Sequence, residues 1–494
     1  MKKVSSFLLA LVVSLLIASG TATAQTWNNT TPGDWQSANW GIPAFWPGLN
    51  NDNSAAIINP VGNLTLNNSV PANPIGNLTI GNSGFQVLFN GTGTLTINGD
   101  LDVNSPLTIG PGMTVLVKGA LKGSQVINLR AGATLRLEST ATTAVQGTVT
   151  INGAQAGSVI LGAGFNGGVI QSTLFQGQQL KTNLTINSNM SLSCNLATVS
   201  TRGALTLNGN LSVNALTTLT LRQTGTNSVQ GTGRIGSAGG TVNIGDGFQF
   251  NGGLIPADNL TNPFVGPLIL HPAGSGATSA TLSGTLNIGA GGSLTLQGGT
   301  TRILAGSTVR IANTLPNSIT RPPSGGFLAL DANGSLVYGS GANAGQLNIA
   351  VVATNANGTI RTEGPMTLQL PGVNKSLTPF GIAPTNATFT GSLDLGGDLT
   401  LSGAGVLRLT SLAPNALTGA GRIVAPGIDS EVRLDPGFNA GIVRGQSFAC
   451  PFNGTFSFST GATFDIQGTL CLGGPVGLYG LANITPGAEL RLSY

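Results

Sequence analysis

The sequence predicts an all-β fold: a long, single-stranded, right-handed parallel β-helix, or β-solenoid, with a Trp-rich N-terminal cap. Three observations predict it. Short apolar/polar alternations recur along the chain, each followed within a few residues by a turn dipeptide such as Asn-Gly or Gly-Gly. A longer motif returns four times, at intervals of 85, 92 and 96 residues. After the first 24 residues no long stretch has helical periodicity.

The alternation reads Asn63-Leu64-Thr65-Leu66, Thr94-Leu95-Thr96-Ile97, Ala204-Leu205-Thr206-Leu207 and Ser293-Leu294-Thr295-Leu296. Apolar residues at every second position fit a strand with one buried face. The dipeptides that follow supply turns that need positive φ. The long motif is Phe165-Asn166-Gly167-Gly168, Phe250-Asn251-Gly252-Gly253, Ala342-Asn343-Ala344-Gly345 and Phe438-Asn439-Ala440-Gly441. Upstream of three copies stands a second match: Val145-Gln146-Gly147, Val229-Gln230-Gly231 and Leu417-Thr418-Gly419. These are super-repeats of about four strand–turn modules, each of roughly 20 to 24 residues, a usual solenoid coil length. A propeller would need regular blades of about 40 to 50 residues, which are absent. The hexapeptide pattern of left-handed β-helices is also missing, which favours the right-handed form.

Composition agrees. Gly accounts for 75 of 494 residues, hydrophobic residues for 40% and charged residues for only 7%, against about 25% charged in an ordinary domain. The apolar content is too high for disorder. The net charge is +4, carried mostly by scattered Arg with no basic stripe, so nucleic acid is not an expected partner.

The chain opens Met1-Lys2-Lys3, continues through an apolar run from Phe7 to Ile17, and reaches Ala22-Thr23-Ala24. This is the pattern of a secretory signal peptide, with cleavage expected after Ala24. The apolar run is well short of the roughly 20 residues that span a bilayer. The expected organisation is a signal peptide at 1–24, a Trp-rich cap at 25–58 and a solenoid of about 20 coils at 59–494. No integral membrane segment is expected after cleavage, and the mature chain is expected to be secreted or held at a cell surface.

All four tryptophans, Trp27, Trp35, Trp40 and Trp46, lie in one short segment. They are read as a cap over the first coil, since an uncovered end exposes core and strand edges. The competing reading makes Trp35 and Trp40 a sugar-stacking platform. The segment has the form Trp-x-x-x-x-Gly-x-Trp, then Asn39-Trp40, Pro47, Asp52 and the strand Ala55-Ala56-Ile57-Ile58. Over about 35 residues it resembles the start of secreted bacterial β-helical repeat proteins, autotransporter-type passengers with autotransporter-associated β-strand repeats. The resemblance implies an exported, surface-associated β-helix, often adhesive or structural, and implies no reaction. Autotransporters end in an outer-membrane barrel rich in aromatic residues. This chain has three Tyr in all, and its second half reads as more solenoid. A separate carrier, or a longer parent protein, is therefore expected.

Chemistry-bearing residues are few. His271 is the only histidine, so a His-based metal site is unavailable, and no Gly-x-Ser-x-Gly elbow is present. The densest acidic group is Asp429, Glu431 and Asp435, with Arg433 between them. Asp100 with Asp102, and Asp394 with Asp398, are further pairs. Paired carboxylates suit glycosidic acid/base work or calcium, and solvated turn residues are the simpler explanation. Cys450 and Cys471 lie 21 residues apart, about one coil, which suits either a disulfide between adjacent rungs or two buried thiols. Cys194 is read as a core residue. Several Asn-x-Ser/Thr sequons, as at Asn63, Asn77, Asn183 and Asn453, arise readily in such a composition and support no glycosylation claim.

The expected function is a surface or extracellular-matrix structural or adhesive solenoid without catalytic activity and without a cofactor or metal. Its expected partners are a surface polysaccharide or a host or neighbouring cell surface, and it is expected to be a monomer or to associate laterally. The alternatives are a β-helical lyase or glycosidase using Asp429, Glu431 and Asp435, or a carbohydrate-binding protein.

Overall fold

The structure, a computed structural model, describes residues 24–493 apart from 28–32, 37–39, 41–45, 50–52, 68–69, 82, 154–156, 194–197, 247, 273–278, 323–325, 349–351, 353–357 and 371–386. The expected leader and Cys194 lie outside the described residues. The described strands are short and pair in parallel, forming a β-solenoid of about 17 turns with almost no helix. The chain divides into two compact units, Met1–Ser212 with Val229–Gly233, and Val213–Ser228 with Arg234–Tyr494. No helix among the described residues is long and apolar enough to cross a membrane.

In the first unit three ladders run side by side. One begins with Gln25–Trp27 and continues through Ala56–Ile58, Leu78–Ile80 and Leu101–Val103. A second climbs from Gly33–Asp34 through Leu64–Asn67 and Val87–Asn90 to Thr150–Asn152. The third runs from Gly93–Ile97 through Met113–Val117, Thr134–Leu137 and Ser158–Leu161 to Val229–Gly231. Its register shows how the alternation becomes a core. Leu95, Val115, Leu135, Val159, Leu184 and Leu205 align in one column, and all are buried. The neighbouring outward column is Thr94, Thr114, Thr134, Ser158 and Asn183. Each buried Leu or Val contributes about 1.5–3 kcal/mol, while the parallel hydrogen bonds between coils satisfy the backbone.

The second unit is built the same way, and coil length varies in both. Pro267 pairs with Ser293, 26 residues on, and Thr308 with Ser335, 27 residues on, but Thr469 with Glu489 only 20 on. In the first unit Thr94 and Thr114 are 20 apart and Ser158 and Asn183 are 25 apart. The turns number about 17, against roughly 20 expected.

The two repeated motifs are one structural device. Asn166, Asn251, Asn343 and Asn439 are buried and hold φ of 50 to 52°, a left-handed conformation that Asn tolerates better than most residues. Each Oδ1 accepts an N–H from the preceding coil: Ala144 at 3.0 Å, Ser228 at 2.9 Å, Ser318 at 3.0 Å and Ala416 at 2.8 Å. Each Nδ2 donates to the carbonyl three residues ahead, on Val169, Leu254, Gln346 and Ile442. In three copies the donating N–H belongs to the residue just before the second motif. In that motif Gly147, Gly231 and Gly419 pass so close to the coil below that a Cβ would lie 2.3, 2.2 and 2.1 Å from a carbonyl oxygen. Both matches recur together because they are stacked on each other.

Candidate functional site

The tryptophan cluster is built on the first strand. Trp27 stands in register with Ile58 and bridges antiparallel to Trp40. The Trp27 and Trp40 rings meet edge to face at 5.3 Å, Trp35 and Trp40 pack tilted at 5.0 Å, and Trp35 continues edge to face onto Phe89 at 6.3 Å. The Trp35 indole N–H donates to the Pro47 carbonyl at 2.9 Å and that of Trp40 to the Trp35 carbonyl at 2.6 Å. Trp27, Trp35 and Trp40 are all at most 1% exposed, and Trp46 is half-buried. A sugar platform needs an open ring face, and Trp35 and Trp40 present none. The cavity beside Trp35, lined also by Phe89, Leu95 and Met113, measures about 10 Å³, room for one water at most.

The acidic residues at 429–435 are spread over different environments. Asp429 is an exposed turn residue. Glu431 and Arg433 share the outer face of strand Ser430–Leu434 and pair at 2.8 Å. Asp435, beyond the strand, is buried and receives the Arg408 guanidinium from the coil below at 2.6 Å and the Ser459 hydroxyl at 2.9 Å. Its hydrogen bond raises the Arg408 pKa above the ordinary guanidinium value, against the opposing effect of burial. The carboxylates that would form an acid/base pair are thus engaged separately, Glu431 on Arg433 and Asp435 on Arg408.

Asp100 accepts the Ala120 N–H at 2.7 Å and pairs with Lys122 at 2.6 Å. Burial works against its ionisation but is outweighed by Lys122 and the Ala120 N–H, which hold the carboxyl below the usual range. Asp102 stands between Thr79 and Lys122 in register. Asp394 faces Arg361 at 3.6 Å and accepts the Thr418 hydroxyl at 3.3 Å. Asp398 accepts the Arg422 N–H at 2.9 Å as a turn residue.

His271 has more company than its loop position suggests. Its Nδ1 lies 3.6 Å from Asp246 Oδ1, and Asp246 accepts the Arg222 Nε–H at 2.9 Å. Arg222 also sits 5.6 Å from the centre of the Phe248 ring. Successive coils bring together three residues that are 24 and 25 positions apart, a signal visible only once the coil length is known. Arg222 supplies the counter-charge to the Asp246 carboxylate. Among the described residues no three His, Cys, Asp or Glu gather as metal ligands.

Cys450 and Cys471 are disulfide-bonded, with Cα atoms 4.9 Å apart, which selects the first of the two readings of that pair. Tyr338 is a buried phenol within a ladder; burial pushes its pKa far above the ordinary value, and its hydroxyl donates to the Asn348 carbonyl at 3.3 Å. No protein family, curated protein or solved structure matches the chain.

Proposed function

We propose that this chain is an exported structural or adhesive β-solenoid of a cell surface or extracellular matrix, with no catalytic activity. The observation that carries the reading is how its reactive side chains are used. Among the described residues, nine acids stand in ion pairs with Lys or Arg, and six of those pairs join positions 22 to 53 residues apart. Such pairs join one coil to another. The four motif Asn side chains do the same from within. A catalytic groove would instead leave acids with perturbed titration converging on one cleft. A uniform outer surface of Thr, Ser and Asn columns suits a polysaccharide coat or a neighbouring cell surface as partner.

Deleting the gene should reduce attachment or change surface texture, and unchanged attachment and envelope would count against the reading. Fractionation should find the mature chain outside the cytoplasm, beginning at Gln25. A polysaccharide screen should give no product. Product release that disappears in Asp429→Asn, Glu431→Gln or Asp435→Asn would establish the carbohydrate-active alternative.

A further inference from the structure

Cys450 and Cys471 meet across coils whose backbones are joined without them. Cys450 lies in a bend between Phe448 and Phe452. Phe448 bridges in parallel to Ile423 of the coil below, and Phe452 to Leu472 of the coil above. The Ala449 N–H donates to the Ile423 carbonyl at 2.9 Å, the Phe452 N–H to the Cys471 carbonyl at 2.8 Å, and the Gly473 N–H to the Phe452 carbonyl at 2.9 Å. Phe448, Phe452, Leu470 and Leu472 are buried, and the Phe448 and Phe452 rings pack edge to face at 6.2 Å. None of these contacts uses a sulfur atom. Together they hold the two Cα atoms 4.9 Å apart, a separation at which a disulfide closes without backbone movement. The two cysteines differ in access. Cys450 is exposed, whereas Cys471, inside strand Thr469–Leu472, is only 5% exposed.

We propose that this bond closes last, on coils that have already stacked, by exchange with an external disulfide that enters at Cys450. The Cys450 thiolate attacks one sulfur of the donor disulfide, a mixed disulfide forms at Cys450, and one donor thiolate leaves. The Cys471 thiolate then attacks the Cys450 sulfur and expels the second donor thiolate. The two cysteines lose two electrons, the donor disulfide is reduced to two thiols, and the two protons given up by the cysteines are taken up by the donor. Cys450 reacts first because exchange requires access, and the fold withholds Cys471. The second step is intramolecular, so it is fastest when the coils already hold the two side chains together. The donor is either a small-molecule disulfide or a protein with an exposed, oxidised Cys-x-x-Cys pair. The proposal rests on the export reading only for where such donors are met; the order of the two steps does not depend on it.

The test uses the chain from Gln25, refolded in its reduced form. Hydrogen exchange should find the Phe452 and Gly473 amides protected before any donor is added. A limiting pulse of iodoacetamide, read by peptide mapping, should label Cys450 at least about tenfold faster than Cys471, and urea should bring the two rates together. With oxidised glutathione, Cys471→Ser should accumulate a mixed disulfide on Cys450, and Cys450→Ser should form one on Cys471 at least about tenfold more slowly. In the unsubstituted chain the mixed disulfide should pass to the Cys450–Cys471 bond at least about tenfold faster when folded than in urea. Repeating the exchange with a protein carrying an oxidised Cys-x-x-Cys pair identifies the source, as the donor that captures Cys450 faster. Unprotected Phe452 and Gly473 amides in the reduced chain, equal labelling of the two cysteines in the folded state, or first capture at Cys471 would each overturn the proposal. Fractionation that placed the chain in the cytoplasm would sink the export reading and leave these rates as they are, so the two fail separately.

Discussion

At the first strands Trp27, Trp35 and Trp40 are buried, whereas at the last described strands Leu478, Ile484 and Leu492 hold inward positions and are each more than half exposed. Both sets of strands continue ladders with the same alternation, so the alternation by itself does not decide burial. Trp35 and Trp40 lie outside that alternation, and their buried N–H groups find acceptors in the carbonyls of Pro47 and Trp35. Just before those last strands, the Cys450–Cys471 disulfide and the packed rings of Phe448, Phe452, Phe456, Phe458 and Phe464 join successive coils.

The largest effect should come from breaking the tryptophan cluster. Trp35→Ala removes a fully buried indole from contact with Trp40 and Phe89 and should destabilise the first unit by about 3–5 kcal/mol. Its counterpart Leu492→Ala should cost less than about 1 kcal/mol, because little of that side chain is buried. Urea unfolding followed by Trp fluorescence measures the first, and hydrogen exchange over 463–492 the second. Equal effects at the two ends would remove the contrast.

Opening the disulfide should come next. Cys450→Ser/Cys471→Ser releases a loop of about 20 residues and should lower the stability of the second unit by about 3 kcal/mol. Trp fluorescence, which reports only on the cap, should be unaffected, while hydrogen exchange in Thr469–Leu472 should accelerate. A loss confined to the first unit would show that the cross-link does not hold the coils it joins.

The coils between the ends supply a reference. Asn251→Ala loses the bond to Ser228 and places Ala in a left-handed conformation, at a cost of about 2–3 kcal/mol. Asn251→Gly relieves the backbone but leaves the Ser228 N–H without its acceptor, and should cost about 1–2 kcal/mol. If the two variants are equally stable, the backbone conformation is not what selects Asn. If Asn251→Gly matches the wild type, the bond between coils contributes nothing.

Much of this was legible beforehand. Leu64-Thr65-Leu66 and its relatives announced buried columns because the strand period is two and one face is covered. The four Asn positions announced themselves by recurrence. Their task was not legible, since it depends on a contact with a residue about 23 positions earlier, a distance fixed by turn lengths that vary from coil to coil. The same reason hid the Arg222, Asp246 and His271 cluster. At 429–435 three acids lie close in sequence, yet the strand turns Glu431 toward Arg433 while Asp435 meets Arg408 of the coil below. In a solenoid, neighbours one coil apart are often more intimate than neighbours two residues apart.

The smallest effect concerns acid. Asp100 and Glu363 both have carboxyls held below the usual range. For Asp100, Lys122 and the Ala120 N–H overcome the opposing effect of burial; for Glu363 the Arg310 hydrogen bond dominates. A depressed folded-state pKa means that the stabilisation is present above the unfolded value of about 4 and is lost as pH falls through the folded value. Each side chain is about a third exposed, so screening keeps either contribution below about 0.5 kcal/mol. Lys122→Met and Arg310→Met should therefore each flatten slightly the fall of the urea midpoint between about pH 5 and pH 2. Glu489 is also lowered by its hydrogen bond to Arg491, but both side chains are at least half exposed. Arg491→Met should leave the acid limb unchanged, and a flattening as large as that of Lys122→Met would show that exposure does not decide which pairs contribute.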